Sequence, residues 1–287
     1  MKTKNLLSFV LLLLPFVGFS QNKTDVSLFS RADSGIYKSE IYSESGDLYR
    51  KVGHHGPAIE NEWMALRIYF DHKATIDAYN KVRPGLELKK AKWYPTPEQQ
   101  KDGWGADYYK VGETIGLGGV RLWDGKKVVM LDPVSGRLAR VKKEGSISYM
   151  EMLSEDVPYK DTKVDILFRV TVFSGIRYAT VEAFALCDEP VQFVTGLNYH
   201  EGQEVVVKDN YIISWGFHPE DVAAEKVELG AAIKFNPDDF VDKKNDGSQH
   251  LLISKPCKQL SWTIMSSCGK EKELNSMEKL KSFVEGM

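Results

Sequence analysis

The sequence predicts a mostly-β protein, a large β-sandwich or two-sheet stack with one C-terminal helix. Three observations predict it: period-2 hydrophobic runs recur along most of the chain, turn residues separate them, and the last segment switches to a helical period. The clearest run is Met64, Leu66, Ile68 and Phe70, all apolar, alternating with Ala65, Arg67, Tyr69 and Asp71. Side chains alternate faces along a strand, so one set belongs to a core. The other set, carried back to Asn61 and Trp63, holds an amide, an indole, a guanidinium and a phenol. Those groups suit a sugar ring and an acidic substituent, so Trp63, Arg67 and Tyr69 are expected to line a groove.

Further strands are expected at 166–173, 178–186, 191–200, 205–207, 211–215, 231–235, 250–254 and 261–266. Clusters such as Ser174-Gly175, Asp188-Glu189-Pro190 and Asp209-Asn210 separate them. Residues 271–285 carry Leu274, Met277, Leu280 and Phe283 at steps of three and read as a helix. A second helical piece is expected at 74–82. Residues 85–128 mix Gly, Pro and aromatics without a period, including Trp93-Tyr94-Pro95, Trp104 and Tyr108-Tyr109. A disordered segment would lack aromatics, so this reads as a binding loop draped over the sheet.

Residues 1–20 read as a secretory signal: Lys2 and Lys4, an apolar core from Leu6 to Val17, and Gly18-Phe19-Ser20 before the cleavage point. The apolar run is short for a membrane span and no cysteine follows it for a lipid anchor. Residues 21–287 are therefore expected to form one exported, periplasmic domain without a membrane anchor. A net charge of −2 argues against a nucleic-acid partner. Of the three cysteines, Cys257 and Cys268 are a pair that an oxidising compartment could bridge, which spacing alone does not establish, and Cys187 reads as a buried thiol.

Adjacent His54 and His55 sit on a Gly/Pro-punctuated turn before the strand, and imidazole exchanges protons near neutral pH. Either is equally well read as a satisfied hydrogen-bonding group. Asn198 and His200 share one strand face with Gln192, Val194 and Gly196, and Glu182 with Tyr178 and Thr180 could join them. Arg67, Arg121 and Arg177 are candidate oxyanion clamps, against the blander reading as ordinary ion pairs. Trp63, Trp104 and Trp123 are candidate sugar platforms, or core. The six histidines include no HxH or HExxH, so a metal site is the weaker reading. Gly116-Leu117-Gly118-Gly119 lacks nucleotide-binding spacing and reads as a turn, and no GxSxG or CxxC occurs.

The stretch from Gly53 to Trp63, with Arg67-Ile68-Tyr69-Phe70-Asp71, resembles a secreted bacterial family long classed as a domain of unknown function, which includes ulvan oligosaccharide dehydratases. Weaker similarity continues through Gly116-Leu117-Gly118-Gly119 and Ser214-Trp215-Gly216-Phe217. The resemblance implies a supersandwich of galactose-mutarotase type. It also implies removal of water from a non-reducing-end uronic acid to leave a 4,5-unsaturated sugar. His54, His55, Asn61, Trp63 and Arg67 fall in the matching motif as site candidates.

On that chemistry His54 or His55 takes the C5 proton, and Arg67 with Asn61 steadies the carboxylate. Tyr109 or His200 protonates the leaving group. Tyr69, Arg121 and Trp123 complete the expected binding set. No cofactor and no metal is called for, and the expected partner is an acidic oligosaccharide. A polysaccharide lyase, a mutarotase-like epimerase and a non-catalytic glycan-binding module are the competing readings.

Overall fold

The Met64–Ile68 strand forms where the alternation placed it, with Met64, Leu66, Ile68 and Phe70 at most 1% exposed. Each such side chain stabilises the fold by about 1.5–3 kcal/mol relative to exposure. The structure, a computed structural model, describes residues 23–92, 94–219 and 223–287. The leader expected at residues 1–20 lies outside the described residues, and so does Trp93.

Among the described residues, three antiparallel sheets account for the strands. A nine-stranded sheet runs in the order Glu204–Val207, Tyr211–Phe217, Glu228–Lys234, Gln259–Cys268, Ala179–Ala185, Thr162–Phe173, Ile147–Tyr159, Gly136–Glu144, Glu40–Ser43. Its inner face carries Met150, Met152, Phe168, Val170, Val181, Trp262, Ile264 and Ile233, all buried. Two smaller sheets cover that face. One has four strands, Asp25–Ser27, Ala58–Glu60, Met64–Ile68 and Ile76–Asn80. The other has five, Phe240–Asn245, Gln249–Ser254, Phe193–Asn198, Arg121–Trp123 and Val128–Val129. All eight strands expected from the period-2 runs after residue 165 form, within a few residues at each end.

The two small sheets are stitched into one layer by the glycine run. Leu117 N–H donates to Ile76 O (3.1 Å) on the four-stranded side, and Gly118 N–H donates to Gly196 O (2.9 Å) on the five-stranded side. Side chains are excluded there: a Cβ at Gly116 would collide with the Ile76 carbonyl, and one at Gly118 (φ +65) with Ile264 and Trp262. The run expected as a turn is therefore a seam between sheets.

The C-terminal helix spans Met277–Gly286, starting later than expected because Ser276 Oγ accepts from Lys279 N–H and caps it. Its buried Met277, Leu280 and Val284 cover the outer face of the large sheet, with Leu280 over Gly230 and Trp215. The helix expected at 74–82 is instead the Ile76–Asn80 strand. Ile76 and Ala78 face the core while Asp77 pairs with Arg67 across the ladder, and that partner overrides an ambiguous local pattern.

The cysteine pairing that the sequence left open is answered by the structure. Cys257 and Cys268 are both free thiols, and Cys187 is half-buried with its thiol toward Glu189 O. Among the described residues no helix is long and apolar enough to cross a membrane.

Candidate functional site

His54 and His55 occupy consecutive left-handed backbone positions, φ 52 and φ 61. L-residues reach that region at about 1–2 kcal/mol each, and it persists only where the surroundings dictate it. Here Gly53 packs against the Phe29 ring and Gly56 against the Ile68 carbonyl, with no room for a side chain at either. The twist sends the two imidazoles in different directions.

His54 turns inward. Its Nε2 meets Ser27 Oγ at 3.0 Å, the Phe29 ring lies edge-on at 5.6 Å, and the residue is 2% exposed. Burial, assisted by the nearby Arg67 charge, drives its pKa down to about 3. The expectation that His54 reaches a groove as a base is therefore corrected: it is an anchor of the turn.

His55 turns outward and is half-buried. Its Nδ1 lies 2.9 Å from Tyr49 O, so Nδ1–H donates and Nε2 is left as an acceptor. Tyr94 O–H meets that Nε2 at 3.0 Å. Tyr49 stacks on the imidazole at 3.9 Å and holds its plane. Burial lowers His55 to about 4, against the raising effect of the Tyr49 carbonyl bond, so the ring is neutral near pH 7. Tyr94 is raised by burial, with Arg67 opposing.

Arg67 lies behind Tyr94, its guanidinium 5.7 Å from that ring. Its Nε and Nη2 donate to Asp77 Oδ2 at 2.7 and 2.5 Å, and Nη2 also donates to Asp107 Oδ2 at 2.5 Å. Tyr69 O–H donates to the same Asp77 oxygen at 2.6 Å. Burial disfavours the Arg67 charge, but the Asp107 and Asp77 carboxylates outweigh it and hold the pKa well above its ordinary value. Arg67 is thus present at the site but already faces two carboxylates, and its expected role as a carboxylate clamp gives way to that of a brace for Tyr94. Tyr69, 8% exposed, belongs to the same buried network rather than to a groove wall.

The segment carrying Asp107 continues into a second cluster. Tyr109 is 1% exposed and its O–H donates to Asn198 Oδ1 at 2.5 Å. Its proton is committed to that buried amide and the residue meets no open space, so the expectation that it acts as a proton donor to substrate is corrected; burial also raises its pKa well above 10. Asn198 and His200 do point together, as their shared strand face required, and meet the Lys110 carbonyl at 2.9 and 2.8 Å. His200 is half-buried and its pKa is lowered by burial, so it is a neutral ring rather than an acid. Its ring centroid lies 4.5 Å from that of His218. Two residues, Tyr108 and Tyr109, lie between Asp107, which braces Arg67, and Lys110, which meets His200 and His218, a span of at most about 11 Å.

The other candidates lie elsewhere. Asn61 is fully buried, and its Nδ2 donates to Phe173 O and Ile176 O while Oδ1 accepts from Trp63 N–H and Met64 N–H. It caps the turn before the strand, so the alternation does not extend back to it or to Trp63. Trp63 sits under Arg177 at 5.4 Å, in a separate small pocket with Lys81, Val82 and Glu271, so it does not share a groove with Arg67.

Arg121 is 2% exposed and its Nη1 donates to Val120 O, with burial lowering its pKa to about 10. Trp123 packs against the Ile115, Val194, Leu251 and Ile253 cluster beneath Lys244. Neither reaches the His55 site. Glu182 stands opposite Arg169 and Ser261 on the face of the nine-stranded sheet turned away from the inward Val181 and Ala183, so it does not join His200.

Sequence reasoning missed Tyr94, Tyr49, Asp77, Asp107 and His218. The aromatic content of 85–128 was the available signal for Tyr94. Asp77 was hidden by the helical reading of its strand. Among the described residues no group of three or more His, Cys, Asp or Glu could hold a metal ion.

A family model described as a domain of unknown function, DUF4861, matches residues 20–287. No curated protein matches. Among solved structures, a 4-alpha-glucanotransferase from Thermococcus litoralis aligns at 10% identity and TM-score 0.38, over 82% of this chain and 40% of that chain. The alignment thus spans well under half of the glucanotransferase. A protein assigned as an aldose 1-epimerase from Klebsiella pneumoniae subsp. pneumoniae aligns at 10% identity and TM-score 0.37, over 92% of this chain and 94% of that chain. Scores this low carry no argument about activity.

Proposed function

The chain belongs to the DUF4861 family, and from that premise we propose that it is a carbohydrate-active hydro-lyase removing water from the non-reducing-end uronic acid of an acidic oligosaccharide. The observation that carries the reading is the Tyr94–His55 pair: a phenol whose proton already points at a neutral, bare imidazole nitrogen 3.0 Å away. Such a pair accepts a proton at the phenolic oxygen by passing one to the imidazole behind it.

In the elimination, the C5–H bond breaks and its proton passes to the Tyr94 oxygen while the phenolic proton moves to His55 Nε2. The freed electron pair forms the C4–C5 double bond as the C4–O bond breaks. The relay then returns its proton through Tyr94 to the departing hydroxide, so one water leaves and both side chains are reset. Arg67 fixes the Tyr94 ring, and Asp77 and Asp107 fix Arg67. The motif resemblance from Gly53 to Asp71 supports this substrate class, and export of the chain follows from the leader expected at residues 1–20.

One observation favours a second reading. Because Arg67 already faces two carboxylates, the substrate carboxylate is not met by an uncommitted guanidinium, and a mutarotase-like proton transfer at a sugar oxygen needs none. Incubation with a panel of uronic-acid oligosaccharides separates the two. The dehydratase produces ultraviolet absorbance from a conjugated double bond and a product lighter by one water. Interconversion of sugar forms without either change would replace the dehydratase reading with the epimerase. No chemical change in any substrate would leave a binding module.

A further inference from the structure

His218 is 4% exposed and held by one bond: Lys110 N–H donates to its Nδ1 at 2.9 Å. That bond places the lone pair on Nδ1, so the neutral ring carries its proton on Nε2. Burial is the chief reason the ring is neutral, lowering its pKa to about 3. Nε2 is buried and has no hydrogen-bond partner among the described residues. Leaving a buried donor unpaired costs about 1–3 kcal/mol, so such a group calls for an acceptor.

His218 is one of the residues bordering a cavity of about 240 Å³, together with Asp107, Tyr108, Pro219 and the 223–227 segment. Asp107 is the carboxylate that braces Arg67 behind Tyr94. A donor and a carboxylate acceptor thus border one small cavity adjoining the proton relay. The volume falls below that of pockets that enclose drug-sized ligands, and suits a single ring.

We propose that this cavity is the subsite for one sugar ring, in which His218 Nε2–H donates to a ring hydroxyl and Asp107 accepts from a neighbouring one. The inference rests on the carbohydrate reading above and makes His218 a specificity residue for it. A carboxylate of the substrate is not the group held here, since Asp107 would repel it. An enzyme that grips one terminal ring by its hydroxyls acts from the chain end, and the charged group of that ring faces away from this wall.

The test uses the two isosteres of the ring. His218→Asn keeps an acceptor for Lys110 N–H and removes the Nε2 donor; His218→Gln keeps a donor near the Nε2 position. His218→Asn is expected to raise KM for the oligosaccharide about 10–100-fold with a much smaller change in kcat, and His218→Gln to recover most of that loss. On the wild-type protein, the His218 Nε2–H resonance is followed by NMR during titration with methyl β-D-glucuronoside and with methyl β-D-glucoside. Both are expected to shift it, because the hydroxyls and not the carboxylate are recognised.

A probe that shifts the His55 ring but not His218 would overturn the subsite and leave the relay reading intact. A shift with the glucuronoside alone would overturn hydroxyl recognition. Equal KM in both folded variants and wild type would also overturn it. Failure of both sugars to perturb either histidine, together with no loss of water from any oligosaccharide, would remove the carbohydrate reading itself.

Discussion

The phenol of Tyr94 donates to Nε2 of His55 across 3.0 Å, and the direction of that bond is set on the far side of the ring. Tyr49 O can only accept, so His55 Nδ1 must hold the proton and Nε2 must be bare. A tautomer fixed by a backbone carbonyl is what a proton relay requires.

Tyr94→Phe is therefore expected to lower kcat by about 10²–10⁴-fold while leaving substrate affinity nearly unchanged, because the ring stays against the Arg67 guanidinium although the hydroxyl's own bond to Arg67 is lost. His55→Ala removes the acceptor and is expected to fall in the same range. Steady-state kinetics on the substrate found in the panel decides it. Near-normal rates in Tyr94→Phe would move the search for a base to His200, whose Nε2 is occupied by the Lys110 carbonyl.

Arg67→Ala is expected to destabilise the fold as well as the reaction. It would leave Asp77, 0% exposed, and Asp107, 4% exposed, buried side by side without their shared cation. Breaking a buried pair in this way costs about 3–5 kcal/mol. Urea denaturation of the variant would measure it, and an unchanged midpoint would contradict the bracing role. The sequence alone suggested an oxyanion clamp lining a groove.

That difference marks what was legible in the sequence. Alternation exposed the inward face of Met64–Ile68 and the eight strands expected after residue 165, because a half-buried strand must repeat every second residue. Alternation did not anticipate the Gly136–Glu144, Ile147–Tyr159 and Phe240–Asn245 strands. It could not tell whether the opposite face met solvent or a covering segment. In this protein the 105–120 stretch lies across that face, with Asp107 on Arg67 and Tyr109 on Asn198. The aromatic content of 85–128 did announce such a covering loop, yet the partner of each aromatic is long-range and leaves no local pattern. Histidine pairing misled for a related reason: two left-handed residues in a row send His54 to the core and His55 to the site, and no spacing rule encodes that twist.

Stability should fall with acid in a window set by the buried histidines. His54 and His218 have folded pKa values of about 3 against an ordinary 6.5, because burial disfavours their charged forms. Both are neutral in either state above that ordinary value, so stability is fully present there. As pH falls below about 6.5 the unfolded chain takes up protons that the folded one refuses, and stability declines until the folded rings protonate near pH 3. Urea midpoints measured from pH 7.5 to 4 should therefore drop, and His218→Gln should flatten the slope by removing one of the contributing titrations, to which the lowered His55 and His200 also add. An unaltered slope in that variant would show that His218 is not buried as a neutral ring.

The seam between the small sheets offers the cleanest test of the layer arrangement. Gly118 holds φ +65, its carbonyl accepts from Trp262 Nε1–H at 3.1 Å, and its Cα faces the Ile264 and Trp262 side chains of the large sheet. Gly118→Ala adds about 1–2 kcal/mol of left-handed strain and about 1–3 kcal/mol of overpacking. Gly112 holds nearly the same conformation, φ +61, but has nothing within 4 Å of where a Cβ would stand. Gly112→Ala therefore carries the strain alone. The difference between the two urea midpoints isolates the packing of the glycine seam against the large sheet. Equal shifts in the two variants would mean that the stitched layer does not press on the nine-stranded sheet at this point, and the Tyr109–Asn198 and Arg67–Asp107 contacts that hang from it would lose their common support.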